Sequence, residues 1–162
     1  MVTTSTNAVT ELVDPRDKNK GVKVTFNEEV FKDSLESIVA TALHESVHAR
    51  QLKSGIPARS FHYGPRKDYY AAVNALSELE AYTIEAHSPF FGKLPLTRQK
   101  QLKGFLGQAE KKAIAAINKM NINLSQYHVF QNMLNKLIPK YKGLKAWFKS
   151  RPLPWAKGGV TP

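Results

Sequence analysis

Residues 32–55 read KDSLESIVATALHESVHARQLKSG. Leu35, Ile38, Val39, Ala42 and Leu43 recur at spacings of three and four, the period of a helix with one apolar stripe. Asp33 followed by Glu36 predicts a capping box at its start, and Gly55 falls where a glycine ends a helix. At about 100° per residue, His44 and His48 lie about 40° apart around the axis and one turn apart along it. Both rings can therefore reach one point in space. They fall roughly opposite the Leu35/Ile38/Ala42 stripe. The sequence thus predicts apolar packing on one side of the helix and imidazoles on the other, with the small residues Ser37, Ala40 and Thr41 leaving room beside them.

The pattern His44-Glu45-x-x-His48 has a chemical reading. Two imidazoles one turn apart hold a zinc ion, and the glutamate between them acts as general base toward a water that the ion makes acidic. Glu45 would take the proton of that water and later pass it to a leaving amine. Cysteine is absent from the chain, so any metal must be held by nitrogen and oxygen donors. A catalytic zinc needs a third protein ligand and an open fourth position. A third His six residues further on is not there: Gln51 stands where a glycine would be needed and Ser54 where the histidine would fall. The next helical stretch, YYAAVNALSELEAYTIEAH (69–87), offers Glu78 and Glu80 instead. These lie about 200° apart on a helix, so only one can face the metal, and the other is expected to be a solvated charge.

Elsewhere the chain reads as mostly α with a small β element. Residues 1–20 are polar and predict a loosely held arm or linker. GVKVTFN (21–27) alternates Val22, Val24 and Phe26, the period of one half-buried strand. SGIPARSFHYGPRKD (54–68), with two Pro and two Gly, predicts a loop. Ala72, Ala75, Leu76, Leu79 and Ile84 mark the apolar face of the second helix. Three basic amphipathic helices follow. Leu102, Phe105, Leu106, Ala109, Ala113, Ile114 and Ile117 carry the first; Val129, Phe130, Met133, Leu134 and Leu137, closed by Pro139, carry the second. Leu144, Trp147 and Phe148, set among Lys142, Lys145 and Lys149, carry the third. The tail RPLPWAKGGVTP is expected to be irregular. The absence of repeats and low-complexity blocks predicts one domain over residues 21–162.

The TFN strand, the IVATALHESVHARQ helix and the downstream ELEAY resemble zincin-fold metallopeptidases whose third ligand is a glutamate. The resemblance spans roughly residues 22–88. In that group the ligand is followed three residues later by a small residue and then often by an aspartate. Glu78 with Ala81 fits that spacing and becomes the implied third ligand, while Tyr82 occupies the position of the aspartate. The contact such an aspartate would make to a zinc-bound histidine therefore has no evident source. His62, Tyr63 and Tyr82 are the preferred candidates for the donor that would steady an oxyanion; Tyr69, Tyr70 and His87 are weaker ones.

Lys and Arg total 24 against 13 Asp and Glu, a formal net of +11 over 162 residues. Such an excess suits an acidic partner: nucleic acid, an anionic membrane surface, or an acidic cognate protein such as an inhibitor. The start of the chain has neither the basic nor the apolar region of a secretory signal, and no apolar run is long enough to span a bilayer. A cytoplasmic location, or delivery by a route that needs no signal, is the expectation. The resemblance implies a zinc peptidase acting on a protein or peptide. By analogy, small size and basic charge are similar to toxin domains of bacterial polymorphic toxins and secretion-system effectors, whose cognate immunity proteins are often acidic. A nucleic-acid-associated zinc protease and a catalytically silent zincin scaffold are the alternatives.

Overall fold

The computed structural model describes residues 7–14, 16–55, 66–120 and 128–150. It is mostly helical with one small antiparallel sheet, the fold class that periodicity predicts. Strand β1 (Ala8–Leu12) pairs with β2 (Val22–Phe26) in the register Ala8↔Phe26 to Leu12↔Val22. Among the described residues five α-helices follow: α1 (Leu35–Lys53), α2 (Lys67–Ala86), α3 (Leu96–Lys119), α4 (His128–Leu137) and α5 (Lys142–Ser150). Two compact units divide these elements. One holds the described residues of Met1–Ala58 and Ala81–Phe105, and the other those of Arg59–Glu80 and Leu106–Pro162. No described helix is long and apolar enough to cross a membrane.

Within the stretch read as an arm, Ala8–Leu12 form β1. Its inward side is Ala8, Thr10 and Leu12, while Val9 stands 49% exposed. An apolar residue pointing out and a threonine pointing in leave no alternation for periodicity to detect. The chain returns to β2 through a short 3₁₀ turn at Lys18–Lys20, and Gly21 takes φ +107°, a conformation that favours glycine. In this turn the Lys20 ammonium and then the Arg16 amide hold the Asp14 carboxyl below its usual range.

Helix α1 starts one residue later than the capping box suggests. Ser34 is the N-cap, its Oγ accepting from the Ser37 amide at 3.3 Å. Gly55, at φ +89°, follows the helix end as expected. The buried face differs from the expectation. Leu35 is 71% exposed and Ala42 is exposed, whereas Ser37, Ala40, Thr41, His44, Glu45, Val47, Gln51 and Leu52 are buried. The polar arc is turned inward. It can be so because its titratable groups find one another and their neighbours, and a buried polar group is costly only when unpaired.

Helix α2 buries Ala72, Leu76 and Leu79 as its spacing predicts. Glu80 is not the solvated charge expected of it: it is 7% exposed, with the Lys136 ammonium of α4 3.5 Å away. In the first unit, Ala40, Leu94 and Leu102 form a core with Tyr82, Ala86 and Phe91 packed against it. In the second, α3 buries Ala109, Ala113 and Ile117, α4 buries Phe130, Met133, Leu134 and Leu137, and α5 buries Leu144. Two contacts tie α5 to α3. The Gly143 amide donates to Glu110 Oε1 at 3.0 Å, placing a carboxylate at the start of α5, and the Trp147 indole N–H donates to Asn118 Oδ1 at 2.9 Å.

Candidate metal centre

His44 and His48 face each other with Nε2 atoms 3.1 Å apart. Their other ring nitrogens decide what those atoms are. His44 Nδ1 lies 3.2 Å from Glu85 Oε2, and an ionised carboxylate only accepts, so Nδ1 carries the hydrogen. His48 Nδ1 lies 2.8 Å from Gln51 Oε1; taking that atom as the amide carbonyl oxygen, Nδ1 donates here too. Both Nε2 lone pairs are then directed at one place. Two lone pairs at this distance repel unless a cation stands between them, a proton or a metal ion. Across a tetrahedral zinc with Zn–N of about 2.0–2.1 Å, two nitrogens would stand about 3.3 Å apart. A proton shared between the rings accounts for the 3.1 Å spacing as well as a metal ion does.

Glu78 is the candidate third donor. It stands on the turn of α2 directly before Tyr82, and its carboxylate, His44 and His48 each offer one ligand atom, all within 4.8 Å of one another. Among the described residues, these three are a group able to hold a metal ion. Two imidazoles and one carboxylate make a nitrogen and oxygen donor set able to hold a metal ion. Glu80, two positions on, belongs to the pair with Lys136.

The carboxylate partner that Tyr82 could not supply comes from one turn later. Glu85, seven residues beyond Glu78, returns to the same side of α2 and is 1% exposed. Its signal in the sequence is this spacing: Glu78, Tyr82 and Glu85 form a polar line at i, i+4 and i+7 on a helix otherwise rich in apolar residues. Its second oxygen, Oε1, accepts from Arg98 Nη2 of α3 at 3.2 Å. Gln51, whose presence argued against a third histidine ligand, is 3% exposed and serves to orient His48.

Glu45 is buried, and its Oε2 accepts a hydrogen bond from Thr10 Oγ1 at 2.5 Å. Thr10 has no signature in the sequence, because the contact joins residues 35 apart. Tyr82 is placed at the centre, its ring centroid 4.6 Å from that of His44 and 5.5 Å from that of Phe105. His87 is at the end of α2, donating through Nδ1 to the Thr83 carbonyl at 2.7 Å, and Tyr69 and Tyr70 pack against each other with centroids 5.5 Å apart. His62 and Tyr63 lie outside the described residues.

Comparison of the chain with family models, with curated proteins and with solved structures gives no match. The centre therefore rests on its own geometry.

Proposed function

We propose that this protein is a zinc-dependent peptidase, with His44, His48 and Glu78 as the ligands and Glu45 as the general base. The observation that carries the reading is the pair of convergent Nε2 atoms beside Glu78, in a buried His-Glu-x-x-His helix. When bound, zinc would polarise a substrate carbonyl and bring the pKa of a water toward neutrality. The remaining steps belong to the chain. Glu45 accepts a proton as the water oxygen bonds to the carbonyl carbon. The same carboxyl then gives that proton to the amide nitrogen as the C–N bond breaks, leaving a carboxylate and an amine. Tyr82, against His44, is the described residue best placed to donate toward the oxyanion. Glu85 and Gln51 engage the Nδ1 atoms of the two imidazoles, so that Nε2 would be the coordinating nitrogen of each.

The test is metal analysis of the purified chain, followed by digestion of a proteome-derived peptide mixture with and without a chelator. One equivalent of zinc, with cleavage that stops on chelation and returns on adding zinc, is the expected result. A chain that takes up no zinc, or cleavage indifferent to the chelator, would overturn the reading.

Thr10 provides a second expectation. Its hydroxyl fixes one oxygen of Glu45, leaving the other for the water. Thr10→Val should lower kcat on a cleaved peptide about tenfold with zinc retained, a part of what a general base contributes. Thr10→Ser should retain most of the rate. Equal rates in the valine and serine variants would show that the hydroxyl has no such role.

The exposed Lys142, Lys145 and Lys149 share one side of α5 and favour an acidic partner. An immunity protein of the kind that neutralises a toxin, or a nucleic acid, has the needed charge, and association through this face should weaken with salt.

A further inference from the structure

Each oxygen of Glu85 has its own partner: Oε2 faces His44 Nδ1 and Oε1 faces Arg98 Nη2, both at 3.2 Å. Three helices meet along this line, with His44 on α1, Glu85 on α2 and Arg98 on α3. Arg98 is itself held in place by its helix. On the same side of α3, Leu102 is fully buried in the core with Ala40 and Leu94, and the Phe105 ring lies against Tyr82. Arg98 keeps its side chain 20% exposed, at the outer end of the line.

We propose that Arg98 is a positioning residue for the metal centre, acting through Glu85 to set the orientation of the His44 imidazole. The inference rests on the assignment of His44 as a ligand. The last torsion of a glutamate side chain is soft, so a carboxylate held at one oxygen only can swing. With Oε1 fixed by the guanidinium, Oε2 is fixed as well, and the His44 ring must turn its Nδ1–H toward it. That turn aims Nε2 at His48. The guanidinium also offsets the charge of a carboxylate that has almost no contact with water, which would otherwise be costly to keep there. A carboxylate so placed strengthens the imidazole as a donor. Arg98 thus reaches the metal without touching it.

The experiment is a competition titration of the full metal-free chain with zinc and a chromophoric chelator. It compares the wild type with Arg98→Met, Glu85→Gln and the double variant. Glu85→Gln should weaken zinc about tenfold to a hundredfold, the usual effect of losing a partner behind a ligand, and Arg98→Met about tenfold. The double variant should match Glu85→Gln alone within about twofold, because Arg98 then has no carboxylate to act through. Nitrogen NMR of the metal-free protein should show His44 as the Nδ1–H tautomer in the wild type and as a mixture in Arg98→Met. Should the methionine variant not fold, Arg98→Gln carries the same comparison, keeping a hydrogen-bond donor without the charge. Affinity unchanged from the wild type, or effects that multiply in the double variant, would overturn the role of Arg98. A wild type that binds no zinc would instead overturn the metal centre itself.

Discussion

A Glu45→Gln protein is expected to fold, to bind zinc as tightly as the wild type and to lose turnover by a factor of about a hundred to ten thousand. The amide has nearly the size of the carboxylate, and its carbonyl oxygen can still accept from Thr10 Oγ1, so the packing of β1 on α1 should survive. What is lost is a group able to take a proton. Glu45 is not among the three residues whose donor atoms converge, and removing its charge subtracts no ligand. Parallel measurements of zinc content and peptide hydrolysis decide the matter. Hydrolysis within about tenfold of the wild-type rate would remove Glu45 from the mechanism. Loss of zinc together with activity would mean that it is a ligand.

The other large effect separates the carboxylates of the ELEAY stretch. Glu78→Ala leaves two imidazoles, and zinc affinity should fall by more than about a hundredfold, beyond the loss usual for a residue that only supports a ligand. His48→Ala should act alike. Glu80→Ala should keep its zinc, since Glu80 is engaged with Lys136. It should nonetheless cost about 1 kcal/mol of stability, more than a solvated charge would, because the carboxylate is buried. Chelator competition reads the first effect and urea unfolding of the metal-free protein the second. The reverse pattern, with zinc lost in Glu80→Ala and kept in Glu78→Ala, would displace the third ligand by two residues.

The parts of the molecule legible in sequence are those whose signals are local. Helix spacing marked α1 and α2 within a few residues, and Val22, Val24 and Phe26 marked β2. The spacing of the two histidines placed both imidazoles at one point. Glu78 enters by resemblance, and it belongs with the two histidines to a group able to hold a metal ion. What could not be read depends on residues distant in the chain. β1 exists because β2 pairs with it, and its own side chains, with Thr10 inward and Val9 outward, show no clear alternation. Helix α1 turns its polar arc inward because Thr10 and Glu85 wait there, one 35 residues before its partner and the other 41 after. An apolar stripe counted on the isolated helix assigns that face to solvent. Glu80 reads as a surface charge until Lys136, 56 residues later, is placed beside it.

The donor set of the candidate centre also fixes how it meets oxidants. Two imidazole nitrogens and a carboxylate oxygen have no accessible redox chemistry, and the chain holds no thiol that could form a disulfide in their place. Peroxide or a thiol–disulfide buffer, which strips zinc from thiolate sites by oxidising the ligands, finds nothing here to oxidise. The same three atoms would hold the ion equally well on either side of a reducing barrier.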